Sequence, residues 1–338
     1  MKKIGLVILF LGISIAFGAF YFLFAKNNRT ADDKIEYINI PTGASYSDVV
    51  ALLNEKKIIA DFSTFDFVAK LKKYPAHIKA GHYVFTKKMT NRQMVNMLRA
   101  GLQKPVKFVI YNIRTNEELA GLASRTLEID SVGFLRTITS EKLLKEWNTD
   151  AENVKGKFIV ANYEMYWNTS IEKLLMQMHK SYNTFWNESR LAKAKALGYS
   201  PDQITTLAAI VQKECIFDRE LKTVAGVYHN RLAIAMPLQA DPTLVYATRD
   251  FDARRITNFH KAVESPYNTY KYAGLPPGPI CIPNPKAIDA TLNPEKHNYF
   301  YFCANPDLSG NTIFSTTLQE QNSVAAAYRA KMNELKIK

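Results

Sequence analysis

Ser200-Pro201-Asp202-Gln203-Ile204-Thr205-Thr206-Leu207-Ala208-Ala209-Ile210-Val211-Gln212-Lys213-Glu214-Cys215 is the stretch on which the reading of this chain turns. It opens as a helix start. Ser200 stands at the cap, Pro201 at the first helical position, and Gln203 three residues after the cap, where its amide can reach back to the cap N–H. On the helix that follows, Leu207, Ile210 and Val211 lie seven, four and three residues before Glu214 and share its face. A carboxyl at the end of an apolar stripe points at the core or at a cleft wall. Desolvation there disfavours the charged form, so the group stays protonated near neutral pH and can act as a general acid. The plainer alternative is a solvated or ion-paired Glu near a helix end, with Lys213 beside it.

Working outward toward the N-terminus, Ile35 to Ile40 reads as a strand and Pro41-Thr42-Gly43 as a turn. Ser45 caps a helix carrying Val49, Val50, Leu52 and Leu53, and a second short helix runs from Ser63 with Phe67, Val68 and Leu71. Gly81 to Phe85 is a strand. Thr90 caps a helix with Met94, Val95, Met97 and Leu98, and Gly101 stops it. This is a small α+β module over 35–104. Beyond it, a strand from Val106 to Tyr111, mostly helical pattern, an extended aromatic run from Phe158 to Trp167 and a helix from Ile171 to Trp186 lead into the Ser200 stretch. Two helices are expected from Ser200 to Arg231, broken near Phe217-Asp218, and a strand from Tyr299 and a helix from Thr317 close the chain. Residues 105–338 therefore read as a larger α+β domain.

The chain begins with Lys2 and Lys3 ahead of Ile4 to Ala25, twenty-two residues without a charge. That length crosses a bilayer as a helix, and the preceding lysines favour a cytoplasmic N-terminus. A cleaved signal peptide, with Ala16 and Gly18 near the cut, is the rival reading. The bulky run Phe20-Tyr21-Phe22-Leu23-Phe24 argues for an uncleaved anchor over 1–25, followed by a polar linker over 26–34. The net charge of +13 comes without zinc-finger spacing, an Arg-Gly tract or an RNA-binding motif. Lysines are spread along the chain, in pairs such as Lys56-Lys57, Lys72-Lys73 and Lys87-Lys88. For a domain outside the membrane, an anionic envelope polymer fits this charge and nucleic acid does not. Three cysteines, Cys215, Cys281 and Cys303, do not make a disulfide framework, and the six histidines have no metal-ligand spacing, so neither a metal nor another cofactor is expected.

Downstream of Glu214, Met236 to Thr243, Ser265 to Tyr270 and Gly274 to Ile280 are dense in Pro, Gly, Asn and Asp and read as ordered loops. Tyr246, Tyr267 and Tyr270, with Gln239, Asn268 and Thr269, have the composition of a sugar site, where rings stack on pyranose faces and amides bond hydroxyls and acetamido groups. A turn with two half-buried tyrosines has the same composition.

Leu-Ala-Ala-Ile-Val-Gln-Lys-Glu (207–214), Val-Ala-Gly-Val-Tyr-His-Asn-Arg-Leu (224–232), Met-Pro-Leu-Gln-Ala-Asp-Pro-Thr (236–243), Ser-Pro-Tyr-Asn-Thr-Tyr (265–270), Gly-Leu-Pro-Pro-Gly-Pro-Ile (274–280), Leu-Asn-Pro (292–294) and Tyr-Phe-Tyr-Phe (299–302) occur in the order and spacing of one family. With them the chain resembles the endolytic murein transglycosylases of the YceG/MltG family. The module near 35–101 resembles that family's LysM-like domain, and the anchor fits as well. The resemblance implies a catalytic acid at Glu214, where the family's Ile-Val-Glu-Lys-Glu motif ends. The chain departs from the family pattern at Gln212 and Cys215, and Ile159-Val160-Ala161-Asn162-Tyr163 stands where the family has a Phe-Pro-Asp-type stretch. Gln212 leaves Glu214 as the one carboxyl in its motif.

The implied reaction cleaves the β-1,4 bond between N-acetylmuramic acid and N-acetylglucosamine without water, leaving a 1,6-anhydro end. One carboxyl suffices because the nucleophile is the sugar's own 6-hydroxyl. A hydrolase needs a second carboxylate, for which Asp218, Glu220, Asp241 and Glu264 are the candidates. Asp241 has the alternative of a turn residue before Pro242. Gln239, Asp241, Tyr267, Asn268 and Tyr270 are expected to bind substrate. Arg231 has two readings, a carboxylate partner at the site or a structural ion pair. The implied partners are peptidoglycan glycan strands, the membrane through residues 4–25, and membrane-bound peptidoglycan synthases (penicillin-binding proteins). The implied place is the inner membrane, with the catalytic domain on the outer side. A glycan-binding anchor without activity is the competing class.

Overall fold

The structure is a computed structural model that describes residues 2–24, 26–27, 36–86, 89–253 and 255–335. Most of the linker expected over 26–34, Ile35 of the first strand, Ala25 at the end of the apolar run and the pair Lys87-Lys88 lie outside the described residues. The elements are helices and short strands throughout, an α+β architecture in two compact units.

The first unit comprises Met1–Phe108 together with the returning segments Ala123–Ile129 and Tyr163–Ser170. Its helix Lys2–Phe24 is long and apolar enough to cross a membrane. Leu6, Phe10, Ile13 and Phe17 stand exposed on it, as side chains meant for an apolar medium do. The last turn is different: Phe22 and Leu23 pack against the core of the small module, and Asn91 Nδ2 donates to the Phe22 carbonyl at 3.0 Å. Asn27, buried just after it, donates to the Asp61 carbonyl at 2.6 Å and to Asn91 Oδ1 at 2.7 Å.

Around that junction, strands Glu36–Ile40 and Gly81–Phe85 pair antiparallel with Ile38 opposite Tyr83. Helices Tyr46–Glu55, Phe62–Leu71 and Asn91–Ala100 cover them. Ser45 with Asp48 and Thr90 with Gln93 form capping boxes, as their spacing predicts. The middle helix is capped by Asp61, two residues before the expected Ser63. Gly101 ends its helix at φ +74°, a left-handed conformation that costs glycine little. The buried Ile38, Ile40, Leu53, Phe65, Tyr83, Phe85 and Leu98 close this core.

The second unit takes Val109–Leu122, Asp130–Asn162 and Ile171–Lys338. At its centre is the helix Pro201–Glu214, with the Ser200 capping box in place. Every residue from Ile204 to Val211 is buried, including Thr205 and Thr206. The helix is therefore enclosed on all sides and not striped, because Pro285–Leu292, Leu221–Ala233, Asp241–Thr248 and Glu188–Ala196 surround it. The buried run ends at Val211, and Glu214 is the last residue of the half-buried C-terminal turn. Gly226 lets the helix Leu221–Ala233 approach the chain near Leu-Asn-Pro: a Cβ there would collide with the Glu295 carbonyl and the His297 ring. The hairpin Tyr301–Ala304 with Thr312–Ser315 and the helix Leu318–Glu334 complete the unit. The extended run expected from Phe158 to Trp167 narrows to a strand at Asn162–Met165, preceded by a 3-10 turn at Val154–Lys157.

Candidate active site

Glu214 ends its helix in a cleft of about 1000 Å³, all of whose lining comes from the second unit. The carboxyl is half-buried. The buried Tyr228, on the next helix, donates its hydroxyl to Glu214 Oε1 at 3.1 Å. Burial pushes the Glu214 pKa up to about 7; the neighbouring Asp241 adds to the rise, while the Tyr228 hydrogen bond and the Arg231 charge oppose it. Desolvation wins, so below about pH 7 the site holds a neutral acid ready to donate a proton. The adjacent Cys215 thiol is pushed up to about 12, mainly by burial, and is no nucleophile at neutral pH. All three cysteines are free.

Asp241 is the other carboxylate in the cleft lining among the described residues. The expected loop over 236–243 becomes a helix at Asp241–Thr248, with Asp241 at its first position, where a negative charge suits the helix dipole. Tyr270 donates its hydroxyl to Asp241 Oδ1 at 2.6 Å. The remaining hydrolase candidates face elsewhere. Asp218 pairs with Lys286 at 2.6 Å and Glu264 with Lys271 at 2.5 Å. Both oxygens of Glu220 bind Thr312, at its N–H and its hydroxyl, each at 2.9 Å.

The motifs that are far apart in sequence are sewn together here. Thr269 accepts from Ala240 N–H at 3.0 Å through its hydroxyl and from Gln239 N–H at 3.0 Å through its carbonyl. Arg231 is buried, with Nε on the Phe300 carbonyl at 2.6 Å and Nη1 on the Leu238 carbonyl at 2.7 Å. It ties the 236–240 loop to the hairpin strand through carbonyls and forms no ion pair with a carboxylate among the described residues. Gln212 accepts from Asn284 N–H at 2.6 Å and so anchors the helix Pro285–Leu292.

Of the residues expected at the site, Glu214 and Asp241 line the cleft, and Tyr270 reaches it through Asp241. Gln239 is exposed on a left-handed backbone at φ 49°. Asn268 lies outside the cleft lining. It is 0% exposed and donates to the Lys261 and Val263 carbonyls at 3.0 and 2.9 Å, while its oxygen accepts from the N–H groups of Tyr270 and Lys271. With its polar atoms engaged and no exposed surface, it shapes the 261–271 loop. Tyr267 is also buried; its ring lies 4.7 Å from that of Tyr246 and its hydroxyl donates to Glu152 at 2.6 Å. Tyr246 itself lines the cleft. Sequence reasoning did not find Tyr228, nor the cleft walls made by Arg114, Phe251, Arg255 and the C-terminal Tyr328, Arg329 and Met332. Tyr228 lies inside the 224–232 motif, which is the one signal that could have drawn attention to it. No group of His, Cys, Asp and Glu suited to a metal ion is found among the described residues.

The profile of the YceG-like family matches residues 38–327. An endolytic murein transglycosylase of Bacillus subtilis is 29% identical over 318 residues, spanning 88% of this chain and 86% of its own length. One of that name from Streptococcus pneumoniae is 25% identical over 368 residues, and the match spans 96% of this chain and 65% of that longer protein. A crystal structure of a YceG-like protein from Listeria monocytogenes, 30% identical, covers 87% of this chain and 99% of its own, with a TM-score of 0.60.

Proposed function

The chain belongs to the YceG-like family, and from that membership together with the desolvated Glu214 we propose that it is a membrane-anchored endolytic murein transglycosylase. It cleaves the β-1,4 bond between N-acetylmuramic acid and N-acetylglucosamine and leaves a 1,6-anhydro end on the muramyl residue. The proton of Glu214 goes to the glycosidic oxygen as the bond to the anomeric carbon breaks. The resulting carboxylate then takes the proton of the muramyl 6-hydroxyl as that oxygen closes on the anomeric carbon. Glu214 is thus acid and base in turn, and no water enters.

The observation that carries this reading is the carboxyl of Glu214, held in the cleft and pushed up to about 7 by burial. The disposition of the other carboxylates supports a one-acid reaction: Asp218, Glu220 and Glu264 are engaged elsewhere and Asp241 holds the Tyr270 hydroxyl. The bulky run Phe20-Tyr21-Phe22-Leu23-Phe24, which continues the apolar helix past a cut near Ala16 and Gly18, supports an anchor that stays attached. With Lys2 and Lys3 on the cytoplasmic side, the catalytic unit stands outside the membrane, beside glycan-polymerising synthases of the penicillin-binding class as partners.

The test is mass spectrometry of fragments released from purified peptidoglycan by the full chain in detergent, beside Glu214→Gln. Anhydro ends from the wild type and none from the variant support the proposal. Reducing ends overturn it in favour of a hydrolase using Asp241. Binding without products overturns it in favour of a glycan-binding anchor.

A further inference from the structure

Five cations line the cleft: Arg114, Lys213, Arg255, Lys261 and Arg329. Two are already engaged. Arg114 pairs with Glu118 at 3.1 Å and lies over the Phe251 ring, and Lys213 donates to Asn112 at 2.7 Å. The other three have no carboxylate partner among the described residues. Arg255 and Arg329 are exposed. Lys261 stands 5.0 Å from the centre of the Tyr270 ring, the ring whose hydroxyl holds Asp241. Against these three charges stand Asp241 and a Glu214 that is neutral below about pH 7. The cleft therefore carries a net positive charge when its acid is ready to react.

Arg329 comes from an unusual wall. The helix Leu318–Glu334 packs on the hairpin Tyr301–Ala304 with Thr312–Ser315, and none of its residues is buried. Yet Tyr328, Arg329 and Met332 face the cleft. A helix that buries no side chain contributes little to the core, and a positive residue set on the wall of a cleft is placed for an anionic ligand.

We infer that Arg255, Lys261 and Arg329 form a carboxylate-binding subsite of the cleft, which takes the anionic substituent carried on the 3-oxygen of the muramyl residue. The inference rests on the proposed glycan substrate. Muramic acid differs from glucosamine at that oxygen by a lactyl ether ending in a carboxyl. The carboxyl is either free or extended by a peptide with carboxylates of its own, and the shared chemistry is a carboxylate at a fixed side of every second sugar. The two guanidinium groups offer planar forks that match it. Such a subsite fixes the register of the strand, because only alternate sugars carry the charge.

The test reads binding and not turnover. The full chain bearing Glu214→Gln, in detergent, is titrated by fluorescence anisotropy with labelled uncrosslinked glycan strands carrying their peptides. It is then titrated with the same strands after carbodiimide coupling to methylamine, which removes charge and keeps size. Neutralising the strands is expected to weaken binding about tenfold, and by less than about twofold once Arg255→Gln and Arg329→Gln are added. Equal affinity for charged and neutralised strands overturns the subsite, as does a double substitution that weakens both strands alike. Strands stripped of peptide by an amidase locate the anion: a loss on neutralising them assigns it to the lactyl carboxylate, and a loss confined to peptide-bearing strands assigns it to the stem. Absence of anhydro ends from the wild type would sink the proposed reaction and leave this binding comparison readable, so the two failures are distinct.

Discussion

The Tyr228 hydroxyl donates to Glu214 Oε1 across 3.1 Å from a ring that is 1% exposed. It is the side-chain donor that stabilises the Glu214 carboxylate, and it works against a desolvation that still holds the carboxyl near 7. A weaker donor leaves the acid too basic to release its proton; a stronger one leaves it ionised before substrate arrives. For the reaction proposed above, the pair would set the pH range in which Glu214 begins as an acid and finishes as a base.

Tyr228→Phe removes that donor and keeps the ring in its pocket. The Glu214 pKa then rises further, since the hydrogen bond lowers it in the wild type. Activity that needs protonated Glu214 falls as pH rises through its pKa, so the alkaline limb of the kcat/KM profile shifts upward by about one unit. A profile that keeps the wild-type limb shows that this hydrogen bond does not tune the acid.

Glu214→Gln abolishes turnover and stabilises the fold. The folded-state pKa of about 7 lies above the ordinary 4.5. Between those values the native state holds a proton that the unfolded chain has lost, so stability declines as pH rises from 4.5 to 7 and stays low above. Thermal melts are expected to show the variant more stable than the wild type by about 1–3 kcal/mol at pH 8 and nearly equal at pH 4. Equal melts at both pH values contradict the buried acid.

Asp241→Asn keeps the acceptor for Tyr270 and removes the like charge that helps to raise the Glu214 pKa. The alkaline limb moves to lower pH, activity at pH 6 stays within about tenfold of wild type, and the products keep their anhydro ends. Complete loss of products in a folded Asp241→Asn protein means that Asp241 is a second catalytic carboxylate.

Arg231→Lys retains the charge and loses the fork. A lysine cannot hold the carbonyls of Phe300 and Leu238 together from one buried position. The cost is about 2–3 kcal/mol, read as a lower midpoint in denaturant unfolding. A midpoint unchanged from wild type shows that the 236–240 loop is held by its Thr269 bonds alone.

Local physics made much of this protein legible in one dimension. The capping boxes at Ser45, Thr90 and Ser200 sit where their spacing places them, because a cap and its partner three residues on complete their hydrogen bonds without the rest of the chain. The helix end that carries Glu214 is equally local. The burial of that helix is not: Thr205 and Thr206 look polar in sequence and are enclosed because four other helices close around them. Asn268 has the composition of a sugar ligand and turns out to hold its own loop, since an amide satisfies whichever partners folding brings nearest.

The sequence by itself determined the apolar N-terminal segment, the capped helix starts, and the placing of Glu214 at a helix end, all of which depend on periodicity and spacing within a few turns. Only the tertiary structure decided that Tyr228 meets Glu214 and that Asp241 shares its cleft with Tyr270 against it. It alone returned residues 123–129 and 163–170 to the first unit and set Arg329, from the last helix, on the cleft wall. Those relations join positions fourteen or more residues apart. They exist because burying apolar surface from many segments at once selects one packing, and no window of sequence contains that sum.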